Sequence, residues 1–421
     1  LSDFGKSTVS YLKRDADFHV LQERLGSGNT VESFSLINNI QIGKLFPKNL
    51  GISFPIDISY MNTNNTPKYF PGTDIASEES APDSIIVKSQ TIKINGNISK
   101  KVKSENPLIK YSIDNLNLGF NLNTQEKSDI QIQSQKIDRL NTNLNYNLRF
   151  QRDNYIQIFG WTEKLPFLGN RISDVKFFYS PTNFNSSMRI SRFLSDKVTR
   201  KNNTRIEDFN IGLTRTFSLN YKIFDNTSFQ YNKNLQSDLS DYRDEVLSSL
   251  KSGSLTNINE SLNFNFSPQW IKFFKADYIF ISNYNWNKPL NSVIDAANLQ
   301  LSTNSTLNFS ISPKEVFDII FINNSENDSD KSPERTRTRS TITNSKSENK
   351  LNEENIDGKR NFKIQNISNQ LNKIDRINFT FSNSNNNIYN GINSDIPASF
   401  RLGLNQNYSF ESVPEIGLNS G

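Results

Sequence analysis

Asn115-Leu116-Asn117-Leu118-Gly119-Phe120-Asn121-Leu122-Asn123 alternates polar and apolar residues without a break. A period of two is sorted onto separate faces only by an extended strand, so this stretch predicts a ribbon with Leu116, Leu118, Phe120 and Leu122 on one side and Asn115, Asn117, Asn121 and Asn123 on the other. Asn is a poor strand residue because its side chain competes for nearby backbone groups. A strand face built from it therefore implies water along that face.

The same pattern recurs in both directions. Leu144, Tyr146, Leu148 and Phe150 alternate with Asn143, Asn145, Asn147 and Arg149; Phe217, Leu219, Tyr221 and Ile223 with Ser218, Asn220 and Lys222. Leu262, Phe264 and Phe266 alternate with Asn263 and Asn265, Leu307, Phe309 and Ile311 with Asn308 and Ser310, and Ile377, Phe379 and Phe381 repeat the scheme. Such runs predict about sixteen strands.

Compact connections are expected at Gly43 to Gly51, at Glu163 to Asn170, at Lys222 to Asn226 and at Ser267 to Trp270. Long polar ones are expected at Thr63 to Asp83, Phe193 to Asp208, Asn232 to Asn257, Trp286 to Asn298 and Asn323 to Lys359. Short turns on one rim and long loops on the other are the habit of up-and-down hairpins crossing an outer membrane. Aromatics cluster near both sets: Phe46, Trp161, Phe167, Phe224, Trp270, Phe273 and Phe274 at the short turns, Tyr69, Phe70, Phe193, Tyr284 and Trp286 at the long loops. They suit two interfacial girdles. Two short helices are predicted, one from the cap Ser312-Pro313-Lys314-Glu315 and one within Asp241 to Gly253. Residues 323–359 read as a mobile, low-complexity loop.

Composition narrows the chemistry. The 421 residues are 34% hydrophobic and 22% charged, with 48 Lys and Arg against 43 Asp and Glu, a net +5. That basic excess is too thin for a nucleic-acid partner, and Arg335, Arg337 and Arg339 lack aromatic platforms for single strands. Cys is absent and His19 stands alone, which excludes thiolate sites and any mechanism needing two imidazoles. His19 reads as a strand histidine without chemistry, Gly26-Ser27-Gly28-Asn29-Thr30 as a turn, and Glu326, Asp328 and Asp330 as solvated loop lacking the Gly and distal Glu of a calcium site. No catalytic, metal or cofactor residue is predicted, and an enzyme is not expected. The opening at Leu1 and the close at Gly421 read as those of an internal fragment.

No helical layer is available to cover so much one-sided sheet, so lipid is the expected partner of the oily face. The expected fold is all-β: a curved antiparallel up-and-down wall of a transmembrane barrel, open or incompletely closed, spanning 1–421 as one segment. Leu116, Leu118, Phe120, Leu122, Leu144, Tyr146, Leu148, Phe264 and Phe309 would face lipid. Asn115, Asn117, Asn121, Asn143, Asn145, Asn147, Asn220, Asn263, Asn265 and Asn308 would face a hydrophilic, nearly neutral lumen.

Three stretches carry a resemblance to a known family: Ala16 to Thr30 (ADFHVLQERLGSGNT), Thr66 to Ile75 (TPKYFPGTDI) and Lys176 to Phe184 (KFFYSPTNF). They look like the SprA/Sov family, giant outer-membrane β-barrels of Bacteroidota that form the translocon of type IX secretion and serve gliding motility. The resemblance implies folded secreted cargo, a periplasmic plug and a smaller partner barrel, at the cell surface of a Gram-negative bacterium. A TonB-dependent transporter barrel and a surface adhesin of stacked β-domains are the alternatives.

Overall fold

A computed structural model describes the chain apart from residues 1–3, 21–25, 78–80, 151–153, 165–171, 243–251, 269–273, 291–295, 322–369, 371–373, 375, 406–407 and 410–421. Sixteen strands make one large antiparallel sheet. They are β1 (Gly5–Arg14), β2 (Asn29–Gln41), β3 (Ile52–Ser53), β4 (Pro55–Pro67), β5 (Val87–Lys100), β6 (Leu116–Ser128), β7 (Ile132–Arg149), β8 (Tyr155–Ile156), β9 (Phe177–Phe178), β10 (Asn183–Thr199), β11 (Arg205–Phe224), β12 (Thr227–Asp238), β13 (Ser254–Phe266), β14 (Phe274–Asn287), β15 (Ala297–Ile311) and β16 (Ile377–Ile392). The main path runs from β1 to β16 in chain order, with β3, β8 and β9 attached beside it. Strand accounts for 63% of the structure and helix for 10%, and the sheet does not close: β1 and β16 are its two edges.

Among the described residues three short helices punctuate the meander, α1 (Pro107–Tyr111), α2 (Pro313–Phe321) and α3 (Ala398–Arg401). The expected cap of α2 is present, with Ser312 Oγ accepting from the Glu315 amide at 3.4 Å. The helix expected within Asp241 to Gly253 is met only by a 3-10 turn at Ser240–Tyr242, and its remainder lies largely outside the described residues.

Two rims follow from the strand order. The upper rim holds the connections 15–28, 68–86, 129–131, 200–204, 239–253 and 288–296; the lower rim holds 42–54, 101–115, 150–182, 225–226, 267–273 and 312–376. The expected division into a short-turn rim and a long-loop rim is therefore wrong. The compact turns at 43–51 and 222–226 do share the lower rim, while those expected at 163–170 and 267–270 lie partly outside the described residues; but the lower rim also takes 150–182 and 312–376, the longest connections in the chain. On the upper rim, 129–131 and 200–204 are tight. The physical reason is that polar sequence is not loop sequence: of 193–208 only 200–204 is a turn, and the charged ends of β10 and β11 are paired by Arg205 and Asp196 at 2.8 Å.

Nothing stacks on the sheet as a second layer among the described residues. Buried apolar side chains form two small clusters on one face, Ile211, Leu213 and Leu239, and Tyr284, Leu299, Leu301, Ile392 and Phe400. The second arises because the chain turns back after β16. Phe400 is fully buried between this face and Tyr389 and Tyr408, and Arg401 reaches Glu260 at 3.3 Å. Gly403 sits at φ +72°, where a Cβ would lie 2.5 Å from Thr303 Cγ2, so only glycine lets this strap lie so close to the sheet.

Candidate functional site

The site is a face rather than a cleft, and register makes it. Residues directly opposite one another in an antiparallel pair share a face, so a row can be followed from strand to strand. One row reads Ser99, Asn117, Asn145, Ser187, Thr216, Asn234, Asn259, Asn285, Gln300. The next reads Asn147, Asn185, Ser218, Asn232, Ser261, Asn283, Ser302, Asn386. Neither contains a charge. Asn220 and Asn263 belong to a third row through Gln230, Asn121 stands opposite Asn141, Asn143 opposite Gly119, Asn265 opposite Ser228, and Asn308 opposite Asp277.

An amide both donates and accepts, so several neighbours in such rows bond one another without ions, while Asn234 Oδ1 is enclosed with no donor among the described residues. Ser218 Oγ donates to Asn232 Oδ1 at 2.7 Å, Asn232 Nδ2 to Ser261 Oγ at 3.3 Å, and Gln300 Nε2 to Asn386 Oδ1 at 3.0 Å. Asn285 likewise donates to Asn259, and Asn121 to Asn95. Along the two rows lies a shallow trough of about 470 Å³, bordered by Thr216, Asn234, Asn259, Asn285 and Ser302.

The opposite face carries the apolar set, and it is divided by height. From the lower rim upward, β7 presents Leu148, Tyr146, Leu144, Thr142 and Leu140, then Asp138 and Lys136; β10 presents Phe184, Ser186, Met188 and Ile190, then Arg192. On β6, Leu116, Leu118, Phe120 and Leu122 give way to Thr124 and Glu126, and Phe264 and Leu262 on β13 give way to Glu260. Phe309 stacks on Phe379 of β16 with ring centroids 4.8 Å apart. On β6, β7, β10 and β13 the apolar run ends after three to five alternate positions and gives way to charge; on β14, β15 and β16 it gives way at the same height to Ser282, Ser305 and Asn383. Band members stay in contact with the surroundings: Leu122 is 40% exposed, Leu144 39%, Phe381 60%. Above the border, Glu260 is 4% exposed, held by Lys233 at 2.9 Å, by Arg401 and by the Tyr231 hydroxyl at 3.2 Å.

Several sequence expectations need correction. Asn115 is not in a strand; it ends a 3-10 turn before β6 and its amide bonds Lys103 and the Lys110 carbonyl. His19 lies in the connection after β1, with Nδ1 2.9 Å from the Asp17 carbonyl, because β1 stops at Arg14. Phe193 is within β10, on the amide face, under the Arg139 guanidinium at 5.3 Å. Tyr284 is a strand residue packed by the strap rather than a rim aromatic, while Trp286, next to last in β14, stands at the upper rim and packs against the same cluster. The amide face is uncharged along its central rows but carries Lys93, Arg139 and Arg189 toward the upper rim and Arg149, Lys222, Lys275 and Asp277 toward the lower. Phe167, Trp270, Phe273, Glu326, Asp328, Asp330, Arg335, Arg337, Arg339 and the 323–359 loop lie outside the described residues.

Sequence reasoning missed the Ser, Thr and Gln members of the rows, whose only signal was parity with the Asn positions. It also missed the pairing of two motif stretches at the upper rim. Lys68 reaches Asp17 at 2.6 Å, the Gly28 amide donates to the Ala16 carbonyl at 3.0 Å, and the Lys68 amide to the Gly28 carbonyl at 3.0 Å. Gly28 sits at φ +69°, as the expected turn requires. Among the described residues no group of three or more His, Asp or Glu side chains is placed to hold a metal ion. No protein-family model matches the chain, and no curated protein matches it significantly.

Proposed function

We propose that this chain is a segment of the wall of a very large outer-membrane β-barrel that conducts folded proteins passively. The observation that carries the reading is one continuous sheet with an apolar band of common height that no described residue covers on one face and uncharged amide rows on the other. Lipid is the surface that completes such a band, since every backbone group in hydrocarbon must be paired and a meander of hairpins pairs them strand to strand. A surface of amides and hydroxyls offers passing cargo neither apolar patches nor a strong field, both of which retain proteins. A lumen for folded cargo needs many strands, because diameter grows roughly linearly with strand number. The three motif stretches favour the type IX translocon at the cell surface, with its gliding role, its plug and its smaller partner barrel, over a TonB-dependent transporter or an adhesin.

Fractionation of cells making the full-length protein tests this. Retention in the outer-membrane fraction after carbonate washing, with solubility only in detergent, is the expected result. Release by carbonate would return the chain to the soluble β-domain reading.

A further inference from the structure

At the lower rim the amide face ends in a pocket of different chemistry, with a volume of about 620 Å³. Its floor is aromatic: Tyr155 of β8 and Phe178 of β9 meet edge to face with centroids 5.9 Å apart, fixed by the Tyr221 hydroxyl donating to the Phe178 carbonyl at 2.6 Å. Two ammonium groups lie over these rings, Lys176 4.5 Å from the Tyr155 centroid and Lys222 4.8 Å from that of Phe178. Asp225 neutralises Lys222 at 3.1 Å, whereas no carboxylate of the described residues lies within ion-pair distance of Lys176. Facing them, Asn265 Oδ1 is enclosed and receives no donor from the described residues.

We propose that this pocket binds an extended peptide segment bearing one carboxylate beside an aromatic or aliphatic side chain. Each part has a counterpart. Among the described residues Lys176 supplies the pocket's one positive charge without a carboxylate partner, which suits a carboxylate better than a phosphate dianion. The Asn265 side chain lines the pocket as an uncharged wall, and the Tyr155 and Phe178 rings receive the apolar side chain. The volume fits a few residues. Placed where the amide rows end, the pocket is a weak docking point at one mouth of the wall; that its peptide comes from secreted cargo rests on the conduit reading, but the binding does not.

The test titrates full-length protein in detergent micelles against fluorescein-labelled Gly-Ser-Phe-Asp-Ser-Gly-amide and its Asn counterpart, read by polarisation. The Asp peptide should bind about fivefold more tightly, the increment of one exposed charge pair, and the preference should shrink with salt. Lys176→Gln and Asn265→Asp should abolish it, Lys176→Arg should keep it, and Lys93→Gln, remote on the same face, should leave it unchanged. Unaltered circular dichroism of each variant confirms folding. Equal affinity for the two peptides, no saturable binding of the Asp peptide at millimolar concentration, or a preference surviving in Lys176→Gln overturns the proposal. Release by carbonate washing with the peptide preference intact would instead overturn the membrane reading alone.

Discussion

Asp114 shows how a single residue secures a turn of this wall. Its side chain is fully enclosed at the lower rim, where it accepts from Lys100 Nζ at 2.6 Å, from Ser104 Oγ at 3.1 Å and from the Ser104 amide. Burial works against the charged form, but these donors together outweigh it and hold the carboxyl below its ordinary value. At the β6–β7 hairpin, burial likewise opposes the charge of Asp129, and the Ile132 and Gln131 amides at 2.8 and 2.9 Å outweigh it with help from Lys127. A carboxyl depressed in the folded state adds stability above its unfolded pKa of about 4, and that stability is lost as pH falls through the folded value. Asp114→Asn should therefore be less stable than the parent near neutral pH, and the gap should narrow on acidification below about pH 4. Urea unfolding in detergent between about pH 3 and pH 7 measures it; a gap that widens toward acid would contradict the assignment.

At the scale of the strand, the two faces make opposite demands on the same substitution. Leu144 lies mid-band and 39% exposed, flanked by Leu118 and Met188, while Asn145 lies in an amide row between Asn117 and Ser187. Leu144→Arg should cost about 2 to 4 kcal/mol in a bilayer and Asn145→Arg far less, measured by reversible unfolding from vesicles. Equal losses would mean that lipid does not touch the band. This facing was legible in the sequence because parity within one strand is fixed by chain geometry alone. What was not legible is set by other strands. Register depends on turn lengths, so the rows of amides, and the place of Thr142 and Ser186 within an apolar face, emerge only from pairing. The rims were misread because Asp196 and Arg205 look like loop residues, yet stay in strands by pairing with each other. Phe120, read as a plain lipid-facing residue, also covers Gly96 on β5, where a Cβ would meet its ring at 2.3 Å.

For the whole molecule, the border on the apolar face sets how the sheet would sit in a bilayer. Main-path strands run from Gly5–Arg14 in β1 to Arg205–Phe224 in β11, and most exceed the roughly 9 to 11 residues that cross hydrocarbon. The surplus lies above the border, where Asp138, Arg192 and Glu260 replace Leu and Phe and the C-terminal strap covers Tyr284 and Leu301. The wall should thus stand proud of the membrane at its upper rim. The six residue steps from Asp138 to Leu144 span about 20 Å of strand, or about 15 Å of height at the tilt usual for barrels. Because the chain has no cysteine, single cysteines at these two positions can each carry an environment-sensitive fluorophore. In vesicles the label at Leu144 should emit as in hydrocarbon and be quenched by brominated acyl chains, while that at Asp138 should emit as in water and be quenched by iodide. Hydrocarbon-like emission at both positions would move the border to the upper rim, leaving Asp138, Arg192 and Glu260 to be solvated by lipid, which the cost of charge in a bilayer forbids. The apolar band would then have to be covered by protein rather than by membrane.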